Sequence, residues 1–273
     1  MASSPLPASA ASAVIDPHTA EHFERDRVFH DTTAHVYDQV VSEPRALANG
    51  LLFGRVHHLI PRGGTQLDLA CGTGHMLLRY GHRFEARVGV DQSAGMLAQA
   101  RTRLERAGLL GGTRLETASV FDFLAGDRGR YRFITCVGFV HHLPLELFAG
   151  LLDGIRPRLA EDGVLLLAEP VQPRVSRAPW PIHRWNARSV MPQRAALLHA
   201  LQAEDEHEEA PLPEALFLDT PLRHGFRLLG ESRGWELFPR HLPERWSDRL
   251  AIRLLDVLYW RSGYIVVRVL GPA

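Results

Sequence analysis

Residues 66–75 read Gln-Leu-Asp-Leu-Ala-Cys-Gly-Thr-Gly-His, and no other stretch restricts the fold as tightly. A short apolar strand pattern carrying one acid, Asp68, turns through Gly72 and Gly74 into the apolar helical pattern Met76-Leu77-Leu78. A strand that ends in a glycine turn and restarts as a helix lets a ligand approach bare backbone. In open α/β sheets ligands settle beyond the carboxyl ends of the strands. A second acid, Asp91, ends the next strand pattern, where it can accept from both hydroxyls of a ribose. The glycine fingerprint of nicotinamide-binding turns is not matched, because Leu77 stands at its third glycine position when Gly72 is taken as the first.

The chain around this turn alternates strand and helix. Strand patterns at 66–70, 86–90, 113–118, 132–137 and 164–168 are separated by helical patterns, one of them capped by Ser93 with Leu97, Ala100 and Leu104 on one face. The 164–168 run is apolar throughout, as expected of a strand covered on both faces. This alternation predicts an α/β fold with a doubly wound parallel sheet. Ahead of it, residues 21–60 read as two helical segments broken from the sheet by Pro61, Gly63 and Gly64. After residue 169 the pattern breaks into proline- and tryptophan-rich sequence, read as a lid insertion over about 170–218. That insertion carries a helix at 193–207, an acidic patch at 204–209, and Trp180, His183 and Trp185. A helix at 220–229, a strand at 235–238, a helix at 246–260 and a final strand at 264–270 follow. The expected organisation is a disordered tail (1–19), a helical cover (20–62), and one domain (63–273) bearing the insertion.

Composition excludes several chemistries. Every basic residue is arginine, so a lysine Schiff base, a pyridoxal lysine and a Walker lysine are absent from these residues. Formal net charge is zero, which gives no global field for a phosphate backbone, and no basic tract is interleaved with aromatics. No metal-ligand spacing appears. Cys71 and Cys136 read as small buried thiols of a reducing compartment. The first residues lack the pattern of a signal peptide, and no apolar run approaches a membrane span. A cytoplasmic protein with a small-molecule partner, no nucleic acid and no membrane is expected; a homodimer is compatible with the sequence.

Several motifs together resemble class I S-adenosylmethionine-dependent methyltransferases of the small-molecule branch. Residues 67–74 look like the family's first motif, 88–93 with Met96-Leu97 like its second-strand motif, and 118–122 like the segment of its adenine contacts. Residues 133–137 followed by Val140-His141-His142-Leu143 are similar to its fourth-strand motif, and 155–168 to the run into its fifth strand. One departure is Ala70, where the family usually has a glycine. The resemblance implies a seven-stranded, mostly parallel Rossmann-like sheet and S-adenosyl-L-methionine as cofactor. It places Ala70, Gly72 and Gly74 along the methionine part, and Asp91 on the ribose. Gln92 or Met96 would lie against the adenine, Asp122 would accept from its amine, and Val120 or Phe121 would flank the ring. Val137 and Gly138 would lie near the sulfonium. Tyr37 falls in the segment resembling the cofactor cover, with a packed helix tyrosine as the competing reading. Asp68, beside the glycines, orients the turn or meets a cationic ligand group.

The sulfonium supplies the reactivity; the protein must bind it, exclude water and aim a nucleophile. His141 and His142, after the fourth strand, and Glu169, after the fifth, are the candidates for substrate contact or proton removal. The expected function is methyl transfer to a small organic molecule, most simply to oxygen. The alternatives are a methyltransferase-like protein catalysing a non-methylating reaction such as a cyclisation, and an NAD(P)-dependent oxidoreductase.

Overall fold

A computed structural model describes residues 17–172, 211–235 and 245–273. Its strands are β1 (Thr65–Leu69), β2 (Ala86–Asp91), β3 (Thr113–Thr117), β4 (Tyr131–Val137), β5 (Leu159–Pro170), β6 (Phe226–Gly234) and β7 (Ile265–Pro272). They form one seven-stranded sheet in the order β3-β2-β1-β4-β5-β7-β6. β7 is antiparallel to both of its neighbours and the other pairings are parallel. The expected seven-stranded, mostly parallel sheet is therefore present. Strand order reverses at β1, which pairs with β2 on one side and β4 on the other. That reversal opens a crevice at the carboxyl ends of these strands.

The described helices are α1 (Pro17–Tyr37), α2 (Ala46–Gly54), α3 (His75–Tyr80), α4 (Ala94–Arg106), α5 (Val120–Gly126), α6 (Leu147–Ile155), α7 (Glu214–Arg223) and α8 (Trp246–Tyr259). α1 runs on into a π-helical turn, Asp38–Ser42. Side chains alternate across β5: Leu165 and Leu167 pack with Phe123, Phe148 and Leu151 of α5 and α6, while Val164 and Leu166 pack with Phe53 of α2 and Met76 of α3. A strand covered on both faces needs an unbroken apolar run, which residues 164–168 supply. Ser93 caps α4 by accepting from the Met96 amide at 3.0 Å, as its position in the sequence indicates. Cys71 and Cys136 are buried free thiols.

The structure corrects the reading of the C-terminal third. The helix expected at 220–229 lies earlier, at Glu214–Arg223, and residues 226–229 begin β6. Pro221 sits in the last turn of that helix, and Gly225, at φ +78°, makes the left-handed turn into the strand. Trp235, expected to open a strand, follows β6 and is buried against Ala48 and Ile252. α1 begins at Pro17, inside the expected tail. The chain rejoins the sheet where Leu212 bridges Val171, ahead of the expected limit of the insertion. The expected helix at 193–207, the acidic patch, Trp180, His183, Trp185 and residues 236–238 lie outside the described residues.

Candidate active site

A cavity of about 310 Å³ opens at the carboxyl ends of β1, β2, β4 and β5, with α1 and the π-helical turn across it. The turn after β1 is its floor. Ala70 (φ 52°), Gly72 (φ 49°) and Gly74 (φ 79°) all lie in the left-handed region. A Cβ at Gly72 would meet no protein atom within 4 Å, so the backbone there faces open space. At Gly74 a Cβ would lie 3.2 Å from the Ala100 Cβ; this glycine allows α3 to pack on α4 and does not line the cavity.

Two strand-tip acids flank the turn. Asp91 Oδ2 accepts from the Gly72 amide at 2.8 Å and Oδ1 from the Ser93 amide at 2.9 Å. Burial raises its pKa against those two amide bonds. A carboxylate has about four acceptor positions, so Asp91 keeps capacity for two hydroxyls. Asp68 is 2% exposed. Its Oδ1 accepts from the Thr135 hydroxyl at 2.6 Å, while Oδ2 has no hydrogen-bond partner. Burial, reinforced by the nearby Asp91 charge, pushes its pKa up to about 7 against the Thr135 hydroxyl and the Leu77 backbone amide.

The loop after β4 is held by Glu169, which is fully buried. Its Oε1 accepts from the Phe139 and Val140 amides at 3.0 and 2.8 Å, and its Oε2 takes the His141 Nδ1 proton at 2.6 Å. A carboxylate only accepts, so this bond places the proton on Nδ1 and leaves Nε2 as the acceptor of a neutral ring. Gly138, at φ +65°, makes the turn that brings these amides together.

α1 supplies residues that the sequence did not single out. Asp26 Oδ1 lies 3.3 Å from His142 Nδ1 and 3.4 Å from His30 Nδ1, and Oδ2 accepts from Gln92 at 3.1 Å. Burial opposes both charges of the Asp26–His30 pair. The imidazoles nevertheless hold Asp26 well below the usual carboxylate range, and Asp26 holds His30 up at about 9. Asp31 accepts from the Ser93 hydroxyl at 2.6 Å and the Gly95 amide at 2.9 Å. Asp38 accepts from the Thr73 hydroxyl at 2.8 Å and pairs with Arg103 at 2.9 Å. The one local signal for the Asp26–His30 pair was its i, i+4 spacing on a helix.

Of the residues expected at the site, Asp68, Ala70, Gly72 and Asp91 line the cavity floor. Gln92, Met96, Val120 and Phe121 line one wall; Val137, Gly138, His141, His142 and Glu169 line another, and Tyr37 lies on the α1 side. Asp122 is not brought to the cavity: its carboxylate is exposed and accepts from the Ser119 hydroxyl at 2.7 Å. Ser119 occupies the lining in its place. Leu77, at the position where a nicotinamide turn needs its third glycine, is fully buried, and a Cβ on Gly89 would lie 2.8 Å from its Cδ1. Among the described residues no group of three or more His, Cys, Asp or Glu is placed to hold a metal ion. No described helix is long and apolar enough to cross a membrane.

Residues 67–163 match the family model described as "Methyltransferase domain". Isonocardicin synthase of Nocardia uniformis subsp. tsuyamanensis is 37% identical over 108 residues, 39% of this chain and 33% of that protein. The chain covers no more than 38% of the length of the first curated relatives it matches. Among solved structures, a DhpI–SAH complex aligns with TM-score 0.59 and 15% identity, covering 92% of this chain and 96% of that one. The [4+2]-cyclase SpnF aligns with TM-score 0.60 and 13% identity, covering 91% and 95%. At these identities the structural likeness is one of fold. The matched region runs from β1 to the start of β5 and includes the glycine turn and both strand-tip acids, so this part of the chain is similar to a methyltransferase domain and the sheet has the fold of the solved structures aligned with it.

Proposed function

We propose that the cavity binds S-adenosyl-L-methionine and that the protein transfers its methyl group to an oxygen of a small organic acceptor. The observation that carries this reading is the unpartnered Asp68 Oδ2, buried in the cavity floor beside open backbone at Gly72 and close to Asp91. A buried carboxylate oxygen without a partner is costly. An amino-acid ammonium offsets that cost, and ribose hydroxyls fit the remaining capacity of Asp91. The sulfonium, when bound, supplies an activated methyl group.

The protein's own residues would do the rest. Phe121 and Val120 flank a planar ring, and α1 with the π-helical turn after it, fastened by Asp31 and Asp38 to the cofactor-side residues Ser93 and Thr73, keeps water out. His141, with its tautomer fixed by Glu169, takes the acceptor proton on Nε2. Glu169 orients and does not react, because both its oxygens already accept bonds. The likeness of fold to a [4+2]-cyclase favours one second reading, a non-methylating reaction in the same cavity. Incubation with S-adenosylmethionine and a panel of phenols, hydroxy acids and alcohols decides between them. A product one methylene heavier than its acceptor, formed together with S-adenosylhomocysteine, supports methyl transfer; turnover of an acceptor at constant mass supports the second reading. A cytoplasmic location and a small-molecule partner belong to the same proposal.

A further inference from the structure

A base buried beside Glu169 must lose its proton again after each turnover. Side-chain exposure is 0% at Glu169 and 7% at His141, so direct contact with water is minimal. The His142 ring lies next to His141, centroids 4.2 Å apart and tilted by 42°. His142 and Asp26 are each 13% exposed, and His30 on the outer side is 21% exposed. Accessibility therefore rises from Glu169 through His141 to His142 and Asp26, which are equally exposed, and is highest at His30. The His142 backbone carbonyl is bonded to His22 Nε2 at 2.9 Å, which fastens the loop to α1.

We propose that His142 and Asp26 form the exit path for the proton that His141 accepts, with Asp26 a positioning residue supplied by α1. The proposal rests on the methyl-transfer reading for the proton's origin, while the path is a property of the protein alone. The balance is simple. The acceptor O–H bond breaks as its oxygen takes the methyl group, and the proton goes to neutral His141. One proton then passes from His141 to neutral His142 and on to water, which restores both rings; nothing is oxidised or reduced.

Asp26 is suited to draw that proton outward. Facing it are His30 on its own helix, His142 from the loop after β4, the Gln92 amide after β2, and the more distant Asp91 charge. Burial opposes charge on His30, but Asp26 keeps that ring protonated up to about 9. His30 is then a fixed positive charge that helps keep Asp26 ionised, and the same carboxylate faces the His142 Nδ1 at 3.3 Å. α1 thus carries part of the acid–base path as well as covering the cavity.

Proton NMR of the full chain without ligand tests this. At a pH where the His141 ring carries both protons, its Nε2 proton is followed, the Nδ1 proton held by Glu169 serves as internal reference, and exchange of the Nε2 proton with water is measured by saturation transfer. Asp26→Asn should slow that exchange by about tenfold, the equivalent of one pK unit of lost driving force. Asp26→Glu should restore it, and the His30 midpoint in Asp26→Asn should fall from about 9 toward its ordinary 6.5. His142→Gln, which leaves α1 untouched, should slow the exchange as well. Exchange unchanged or faster in both Asp26→Asn and His142→Gln overturns the path, and an unmoved His30 midpoint overturns the role of Asp26. S-adenosylhomocysteine binding by the unmodified protein, measured in parallel, shows separately whether the cofactor reading has failed.

Discussion

Asp68→Asn separates the cost of the cavity floor from its use. The folded protein holds the Asp68 carboxyl at about 7, up from an ordinary 3.8, chiefly through burial. Its native pKa is thus above its unfolded one, so the native state keeps a proton that the unfolded chain has lost. Stability is full below about pH 4, falls as pH rises, and levels off above about 7, when both states are ionised. Three pK units at about 1.4 kcal/mol each make the whole loss on the order of 4 kcal/mol, of which about 2–3 kcal/mol falls between pH 5 and 8. Asparagine keeps an acceptor for Thr135 but carries no charge, so its own cost is independent of pH. In thermal melts at pH 5, 6, 7 and 8, the difference between unmodified protein and Asp68→Asn should change by about 5–10 °C in favour of the variant as pH rises, at about 2–4 °C per kcal/mol. Saturating S-adenosylhomocysteine should shrink that change, because its ammonium compensates the carboxylate. Parallel melting curves across this range would show that Asp68 is not the strained acid described above.

Other substitutions probe separate parts of the site. Gly89→Ala would place a Cβ 2.8 Å from Leu77, 2.9 Å from Leu115 and 3.0 Å from Cys71; a loss of about 1–3 kcal/mol is expected in chemical denaturation. Ala70→Gly removes a left-handed alanine, so a gain of up to about 1 kcal/mol should appear in the same assay with cofactor binding retained. His141→Gln should lower methyl transfer by about 10²–10⁴ while leaving S-adenosylhomocysteine affinity intact; equal losses in both would point to a structural role. Glu169→Gln keeps one acceptor oxygen for the Phe139 and Val140 amides but puts an NH2 against the His141 Nδ1–H, and a destabilisation of about 1–3 kcal/mol should be seen by melting.

The sheet and the turn after β1 were legible because their signals are local. The turn at 70–74 has to leave the right-handed region, the 164–168 run has to be covered on both faces, and Ser93 has to cap the helix that follows it. The side of the cavity formed by α1 and the loop after β4 was less legible because its contacts join distant parts of the chain. His22 and His142 are 120 residues apart, and nothing local in a polar helix marks Asp26 as the residue that turns inward. The same applies to β6, whose pairing with β7 follows from sheet order and not from its own pattern. Asp122 was placed by its position in a motif, whereas the first turn of α5 directs it to solvent, where Ser119 occupies it.

Titration calorimetry of S-adenosylhomocysteine into the unmodified protein and Asp91→Ala is the most direct test of the site. Saturable one-to-one binding to the unmodified protein is expected, weakened by at least about tenfold in the variant through loss of the carboxylate's bonds to ribose and turn, worth about 1.5–3 kcal/mol. Absence of heat at millimolar ligand, or equal affinity in the two proteins, would contradict it.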